Sequence, residues 1–253
     1  MDVYSILSQT QRQCVIDGEV KPILDGNAGK TLVLLWSQLG DFDNLEYAWW
    51  LKRESEKLQA KQITVKAIGI GDRNSGIKFC QYTEFPQENL YVDPTAQLHR
   101  ELDLYQGLTF KFPVSAKYRA FLNLMLMCAG IGSPGTLAEV FRGYKGDRSA
   151  PQLIANDEVV KDTPLPNLKG SMFKVAGGEG FQRPFELATL RLRNMTEVLS
   201  NWNTYVPDAT YLTQRGGTFL FDAAGILYEH RDRHILGFAA NMSNPLSFLD
   251  QIE

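Results

Sequence analysis

The fold is decided by one stretch of the chain, Thr31-Leu-Val-Leu-Leu-Trp-Ser-Gln-Leu-Gly-Asp-Phe-Asp-Asn-Leu-Glu-Tyr-Ala-Trp-Trp50. Its first part, residues 31–36, is a continuous apolar run, which is typical of a strand buried on both faces of a sheet. A glycine turn at 40–44 follows, and the pattern then predicts a helix from about 43 to 60. Asp43 and Glu46 form a capping-box-like pair that favours a helix start at this point. The stretch therefore predicts a strand, a turn and a helix in succession.

A second strand and helix follow at the spacing of a βαβ unit. Residues 63–70 form a β-branched strand, and Gly71-Asp-Arg-Asn74 turns the chain into a helix from about 75 to 83. A parallel pair with a right-handed crossover is the usual result of this order. A short strand at 89–94 and a helix at 95–104 are predicted next.

The remaining segments complete an α/β pattern. Helices at about 115–130, 135–142 and 184–202, separated by loops rich in glycine and proline, make residues 106–210 a largely helical insertion. A hairpin pairs 217–222 with 226–230, and a last helix covers about 244–251. Residues 1–30 are polar and rich in turns, and they predict an N-terminal arm. The order predicts a thioredoxin-like fold over 31–253, with a central mixed sheet flanked by helices.

Composition excludes several classes of function. The 253 residues carry a formal net charge of −3, and Lys and Arg are scattered, so no footprint for nucleic acid is visible. The N-terminus shows no secretion signal, and three widely spaced cysteines indicate a reducing, cytoplasmic compartment. The longest apolar run, 120–132, is too short to span a membrane. It predicts a buried helix, with peripheral contact to a membrane or a partner protein as the alternative.

Four segments together resemble the peroxiredoxin-like family of the alkyl hydroperoxide reductase C/thiol-specific antioxidant (AhpC/TSA) group, in the branch found in cyanobacteria, plastids and animals. They are the strand-turn-helix at 31–51, Ala67-Ile-Gly-Ile-Gly71, Leu90-Tyr-Val-Asp-Pro94 with Leu104-Tyr105, and the hairpin 216–232. The resemblance implies a thioredoxin-like fold and a cyanobacterial-type cytosol or plastid stroma, with thylakoid association as a further option.

The turn departs from this family at the residues that would carry its chemistry. Members usually have Gly-Cys-x-x-Cys there, and alignment on Gly40 puts Asp41 at the first cysteine and Asn44 at the second. A peroxide-reducing site needs a thiolate, which neither residue supplies. Asp41 and Asp43 are interpreted as anionic caps at the helix N-terminus. The alternative is that they bind Mg²⁺ or Ca²⁺ together with Glu46, although no EF-hand loop is present. No metal and no other cofactor is predicted.

Two further candidates for the site lie outside the turn. Cys80 is the fallback thiol, although a cysteine inside a helix beside Phe79 is more often a small buried hydrophobe. Arg215 stands one position before Gly216, where peroxiredoxins tend to have an active-site arginine. Because side chains alternate along a strand, this offset predicts that Arg215 points to the opposite face, unless a bulge at Gly216-Gly217 restores it. The glycine pair also lets the backbone approach the turn.

Two hypotheses of function remain. The first is a non-catalytic binding or scaffold protein that lacks the redox cysteines and contacts a protein partner through the 106–210 insertion. Its candidate binding residues are Gly40, Asp41, Asp43, Trp49, Trp50, Arg215, Gly216 and Gly217. The second is an antioxidant enzyme that reduces peroxide with a displaced cysteine such as Cys80. The histidines add little: His99 falls in a polar helical stretch, and His230 and His234 fall on a charged strand edge that predicts a solvated surface.

Overall fold

The computed structural model describes residues 2–24, 29–107, 154–160, 167–173, 182–233, 237–241 and 244–252. Within these ranges it has a seven-stranded mixed sheet with helices packed on it, which confirms the predicted α/β class. The elements, in chain order, are α1 (Val3–Gln9), β1 (Gln11–Cys14), β2 (Val20–Pro22), β3 (Lys30–Gln38), α2 (Phe42–Arg53), α3 (Ser55–Ala60), β4 (Ile63–Ile70), α4 (Arg73–Thr83), β5 (Leu90–Val92), α5 (Gln97–Glu101), β6 (Val159–Val160), β7 (Leu168–Lys169), α6 (Gln182–Ser200), α7 (Trp202–Tyr205), β8 (Gly217–Asp222) and β9 (Gly225–Arg231).

The strand order in the large sheet is β2-β1-β5-β4-β3-β8-β9. Strand β3 pairs in parallel with β4, and β4 pairs in parallel with β5, as the βαβ spacing predicts. On its other side β3 pairs antiparallel with β8, and β8 forms the predicted hairpin with β9. Strand β3 therefore lies inside the sheet, between a parallel and an antiparallel neighbour.

The continuous apolar run in β3 reflects burial on both faces of the sheet. Leu34 and Trp36 pack in the core cluster that includes α2 and α4. Val33 and Leu35 pack in a second cluster with Leu7 of α1 and residues of α5. Because successive side chains of a strand point to opposite faces, a strand covered on both sides needs apolar residues at every position.

Residues 2–24, where the sequence predicts an arm, instead form part of the sheet and its core. Strand β1 pairs antiparallel with β5, with Gln13 opposite Val92, and β2 forms the outer edge. Leu7 and Ile23 are completely buried. Strand β1 was not predicted because Gln11-Arg-Gln13 is polar, and its pairing with β2 and β5 depends on the backbone and needs no long apolar run.

The helices also differ from the prediction in detail. The predicted helix 43–60 is divided at Glu54 into α2 and α3, and the one at 95–104 is only α5. The last helix, predicted at 244–251, is a 3₁₀ turn at Ser247–Gln251. Helix α6 confirms the one predicted at about 184–202, whereas those at 115–130 and 135–142 lie outside the described residues, as does the apolar run 120–132. In the ranges that the structure covers, every helix is too short or too polar to cross a membrane.

His99 is buried in the core and not in a polar surface, because α5 lies against the end of β3. The register of β3 against β4 shifts between Trp36 and Gln38. There the Trp36 carbonyl accepts a hydrogen bond of 2.9 Å from His99 Nε2, which must therefore carry the ring proton. Burial lowers the pKa of His99 to about 4, so the ring is neutral at physiological pH.

We expect His99 to make stability depend on pH. In the unfolded chain its pKa is near 6.5, so below that value the unfolded state takes up a proton that the folded state excludes. Its contribution is fully present above about pH 6.5 and is lost as the pH falls towards 4. His99→Gln keeps the N–H donor and removes the titration. Urea unfolding should therefore show that the loss of stability between pH 7.5 and pH 5 is smaller in this variant by about 2 kcal/mol.

Gln59→Ala is the control, since Gln59 is exposed on α3 and its side chain does not titrate. The control should lose as much stability between the two pH values as the wild type does. If His99→Gln loses as much stability between the two pH values as the wild type does, then the folded protein does not prevent the protonation of His99.

Candidate functional site

The turn after β3 keeps the shape that the sequence predicts but is capped differently. Helix α2 begins at Phe42 with Asp41 as its N-cap, and Asp41 Oδ1 accepts a hydrogen bond of 3.1 Å from the Asp43 backbone N–H. The predicted pairing of Asp43 with Glu46 is not the cap, because Glu46 instead binds Arg191 of α6 at 3.0 Å. Asp41 is thus the capping carboxylate, as the turn predicts, and Asp43 has another role.

A single guanidinium joins both carboxylates. Arg215 Nη1 lies 2.7 Å from Asp41 Oδ2, and Arg215 Nη2 lies 2.8 Å from Asp43 Oδ2. All three side chains are buried, with Arg215 only 2 % exposed. We call Asp41, Asp43 and Arg215 the charge cluster. It forms between the start of α2 and the start of β8, two segments that are distant in the sequence.

The expected orientation of Arg215 is wrong for a simple reason. Strand β8 begins at Gly217, so Arg215 precedes the strand and the alternation rule does not apply to it. The irregularity of this hairpin falls between Leu220 and Phe221, and not at the glycine pair. Gly216 is needed for close approach: a Cβ there would lie 2.0 Å from the Leu35 carbonyl oxygen, so the glycine lets the chain pass against β3.

Neighbouring polar groups complete the charge cluster. Ser37 Oγ donates to Asp41 Oδ2 at 2.7 Å, and Asn44 Nδ2 donates to Ser37 Oγ at 3.1 Å. The Gly237 backbone N–H donates to Asp43 Oδ2 at 2.7 Å. Asn44, which stands at the second cysteine position, therefore orients the cap. Gly40 also has a structural role, because a Cβ there would lie 2.9 Å from Val206.

The charges in this cluster do not cancel, since it holds two carboxylates and one guanidinium. Burial raises the pKa of Asp41, and the neighbouring Asp43 raises it further, against the effects of Arg215 and Ser37. Burial disfavours the charge on Arg215, but Asp41, Asp43 and Asp232 together raise its pKa. Arg215 therefore stays charged and holds the two carboxylates at the turn.

Sequence reasoning missed three contributors to this site: Ser37, Asp232 and Gly237. Asp232 Oδ2 accepts the Gly216 backbone N–H at 3.1 Å, and its Oδ1 lies 3.3 Å from His230 Nε2. Only Ser37 left a signal, as a hydroxyl at the end of an otherwise apolar strand. Nothing local marks Asp232 or Gly237, because their partners are distant in sequence.

Comparison with known families gives the relationship of the chain. The model described as "AhpC/TSA antioxidant enzyme" matches residues 50–234, which is most of the sequence. The chain belongs to this family. The match begins after the turn, so Asp41 and Asp43 precede the matched residues whereas Arg215 lies within them. Comparison with curated proteins found no match, and neither did comparison with solved structures.

The remaining candidate binding residues of this AhpC/TSA chain, Trp49 and Trp50, lie outside the charge cluster. Trp50 is buried in the core, as is Tyr47, whose hydroxyl is 3.1 Å from Thr218 Oγ1. The helix face that they form is therefore packed against the protein. Trp49 is half-buried and lines a separate cavity, where the Arg53 guanidinium lies 4.7 Å from its ring centre.

The cysteine thiols in the part of the chain that the structure describes are buried as well. Cys80 on α4 is 4 % exposed, and burial raises its pKa to about 12. Cys14 is buried in β1, although the sequence places it on an arm. Cys128 lies outside the described residues. A reactive cysteine is exposed and has a lowered pKa, so the environment of Cys80 is the opposite of the one that thiol catalysis needs.

Removing the shared guanidinium should strongly destabilise the protein. Arg215→Gln leaves two carboxylates buried without their cation, and we expect a loss of about 3–5 kcal/mol in the free energy of unfolding by urea. Adding Asp41→Asn and Asp43→Asn should recover most of that loss, because Asn still caps a helix and carries no charge.

Lys52→Gln is the control. It breaks an exposed ion pair with Glu84, which should cost no more than about 1 kcal/mol. A value for Arg215→Gln as small as that of the control would contradict the role assigned to the charge cluster.

Proposed function

We propose that this AhpC/TSA-family chain is a non-catalytic binding or scaffold protein. The observation that carries the proposal is the bridge from Arg215 to Asp41 and Asp43, at the turn where the family resemblance places redox thiols. In this proposal the turn holds the fold together, and binding takes place on other surfaces.

The chemistry of the turn supports this assignment. Peroxide reduction needs a nucleophilic sulfur that reaches solvent and is oxidised to a sulfenic acid. Position 41 has a carboxylate, which cannot pass through that cycle, and Asp41 is only 2 % exposed. Both terminal nitrogens of Arg215 are engaged by carboxylates, and its Nε, which has no hydrogen-bond partner among the described groups, is buried away from solvent.

The family description favours a second candidate, an antioxidant enzyme that uses a displaced thiol. Among the described cysteines Cys80 is the candidate that the sequence offers, and its burial and raised pKa weigh against it. The binding proposal therefore stands first, with a protein partner at the 106–210 insertion. Free Cys14 and Cys80 agree with a reducing compartment, for which we propose the cytosol or plastid stroma.

Peroxide consumption separates the two candidates. The purified wild type, supplied with a dithiol reductant and hydrogen peroxide, should consume no more peroxide than Cys80→Ser does. Asp41→Cys tests whether burial of the turn by itself prevents the reaction, since a thiol there would lie at a helix N-terminus beside Arg215 but at a position that is only 2 % exposed. We expect dimedone to leave both this variant and the wild type unlabelled after peroxide treatment. Turnover by the wild type that Cys80→Ser abolishes would overturn the binding proposal.

Alkylation tests the state of Cys80 directly. A thiol pKa of about 12 leaves about one thiol in ten thousand ionised at about pH 8. Peptide mapping after iodoacetamide treatment should therefore find Cys80 unmodified in the native protein and fully modified in concentrated urea, which is the internal control. Rapid labelling of native Cys80 would show that the thiol is accessible and would favour the enzyme.

A further inference from the structure

A cavity of about 440 Å³ lies between α2, α4 and α6, and it is separate from the charge cluster. Its size falls within the range of about 300–1,000 Å³ that is usual for small-molecule sites. Leu45, Trp49 and Leu190 supply apolar surface, and Tyr82 and Arg193 stand beside them. The cavity therefore combines an apolar wall with a small number of charged groups.

The lining of this cavity holds three cations and three carboxylates, and Arg193 is the cation among them that forms no ion pair in the described part of the chain. Six charged side chains form three ion pairs: Lys52 with Glu84 at 2.7 Å, Arg53 with Glu158 at 3.0 Å, and Arg191 with Glu46 at 3.0 Å. Arg193 also lines the cavity, and in the part of the chain that the structure describes it has no carboxylate within 4.0 Å. Arg193 is thus a lining cation outside these ion pairs, although its charge also acts on nearby Glu84.

A cation–π contact positions this cation. The Arg193 guanidinium lies 4.9 Å from the centre of the Tyr82 ring, and the Tyr82 hydroxyl donates to Asn194 Oδ1 at 3.1 Å. A cation–π contact uses no N–H group of the guanidinium. A carboxylate in the cavity would therefore meet N–H donors arranged in the planar fork that suits this anion.

We propose that this cavity binds one carboxylate carried on an apolar body. The one lining cation without an ion pair matches a monoanion. The three glutamates around the cavity would repel a dianion such as phosphate, and the guanidinium of Arg193 disfavours amines. The apolar body would lie against Trp49, Leu45 and Leu190. The carboxylate can come from a small organic acid or from an acidic side chain of a partner segment. This inference rests on the proposed binding function and names the chemistry that is bound.

Calorimetric titration tests the proposal with indole-3-acetate, its neutral amide, and the blocked peptide acetyl-Leu-Glu-Leu-amide. We expect at least one of the two acids to bind the wild type. The amide should bind at least about tenfold more weakly than indole-3-acetate if the free acid is the ligand, which corresponds to about 1.4 kcal/mol. The matching control for the peptide replaces its Glu with Gln. Arg193→Gln should weaken acid binding by a similar factor and leave the neutral probes unchanged.

Arg100→Gln is the matched control variant, because Arg100 is exposed on α5 and does not line the cavity. It should bind both acids as the wild type does. If only indole-3-acetate binds, the occupant is a small acid, and if only the peptide binds, it is a partner segment. The proposal is overturned if neither acid binds, if the neutral probes bind equally well, or if Arg193→Gln has no effect.

Circular dichroism and urea unfolding of Arg193→Gln establish that the variant is folded, and Arg193→Lys should retain part of the affinity. The peroxide assay is independent of these measurements. Thiol-dependent turnover would overturn the proposed function, whereas a failure of acid binding without such turnover would overturn only this inference.

Discussion

One buried guanidinium ties the sheet to the helix that follows its central strand. Arg215 reaches Asp41 and Asp43 across more than 170 positions of sequence, so the start of α2 and the start of β8 are held at a single point. Removing three charges from water is costly, and only close contacts with further hydrogen bonds can offset that cost. Ser37, Asn44 and Gly237 supply those hydrogen bonds.

This constraint explains how the turn can keep its shape without its redox chemistry. A catalytic thiol has to remain accessible, whereas a structural carboxylate is most strongly bound by its cation when it is buried. Once the arginine is occupied by two carboxylates, the turn becomes part of the core. The cavity between α2, α4 and α6 is lined by residues that the charge cluster does not use.

The sequence pattern predicted the strands whose side chains are buried at every position or at alternate positions. Residues 31–36, 63–70 and the hairpin at 217–230 are of this kind, and each lies where the pattern puts it. Strand β1 was not predicted because it is short and polar, and its pairing with β2 and β5 uses backbone groups that every residue has. The orientation of Arg215 also escaped prediction, because the strand begins two residues later than the alternation argument assumes.

By itself the sequence determined that the turn at 40–44 has no thiol, that the sheet is mixed and that its central strand is buried on both faces. These properties depend on residue identity and on short-range periodicity. Only the tertiary structure decided that Asp41 and Asp43 share one arginine, that His99 is buried and neutral, and that Cys80 is enclosed. Coulomb attraction and desolvation depend on distance and burial in space, and a linear pattern does not contain the contacts between residues far apart in the chain.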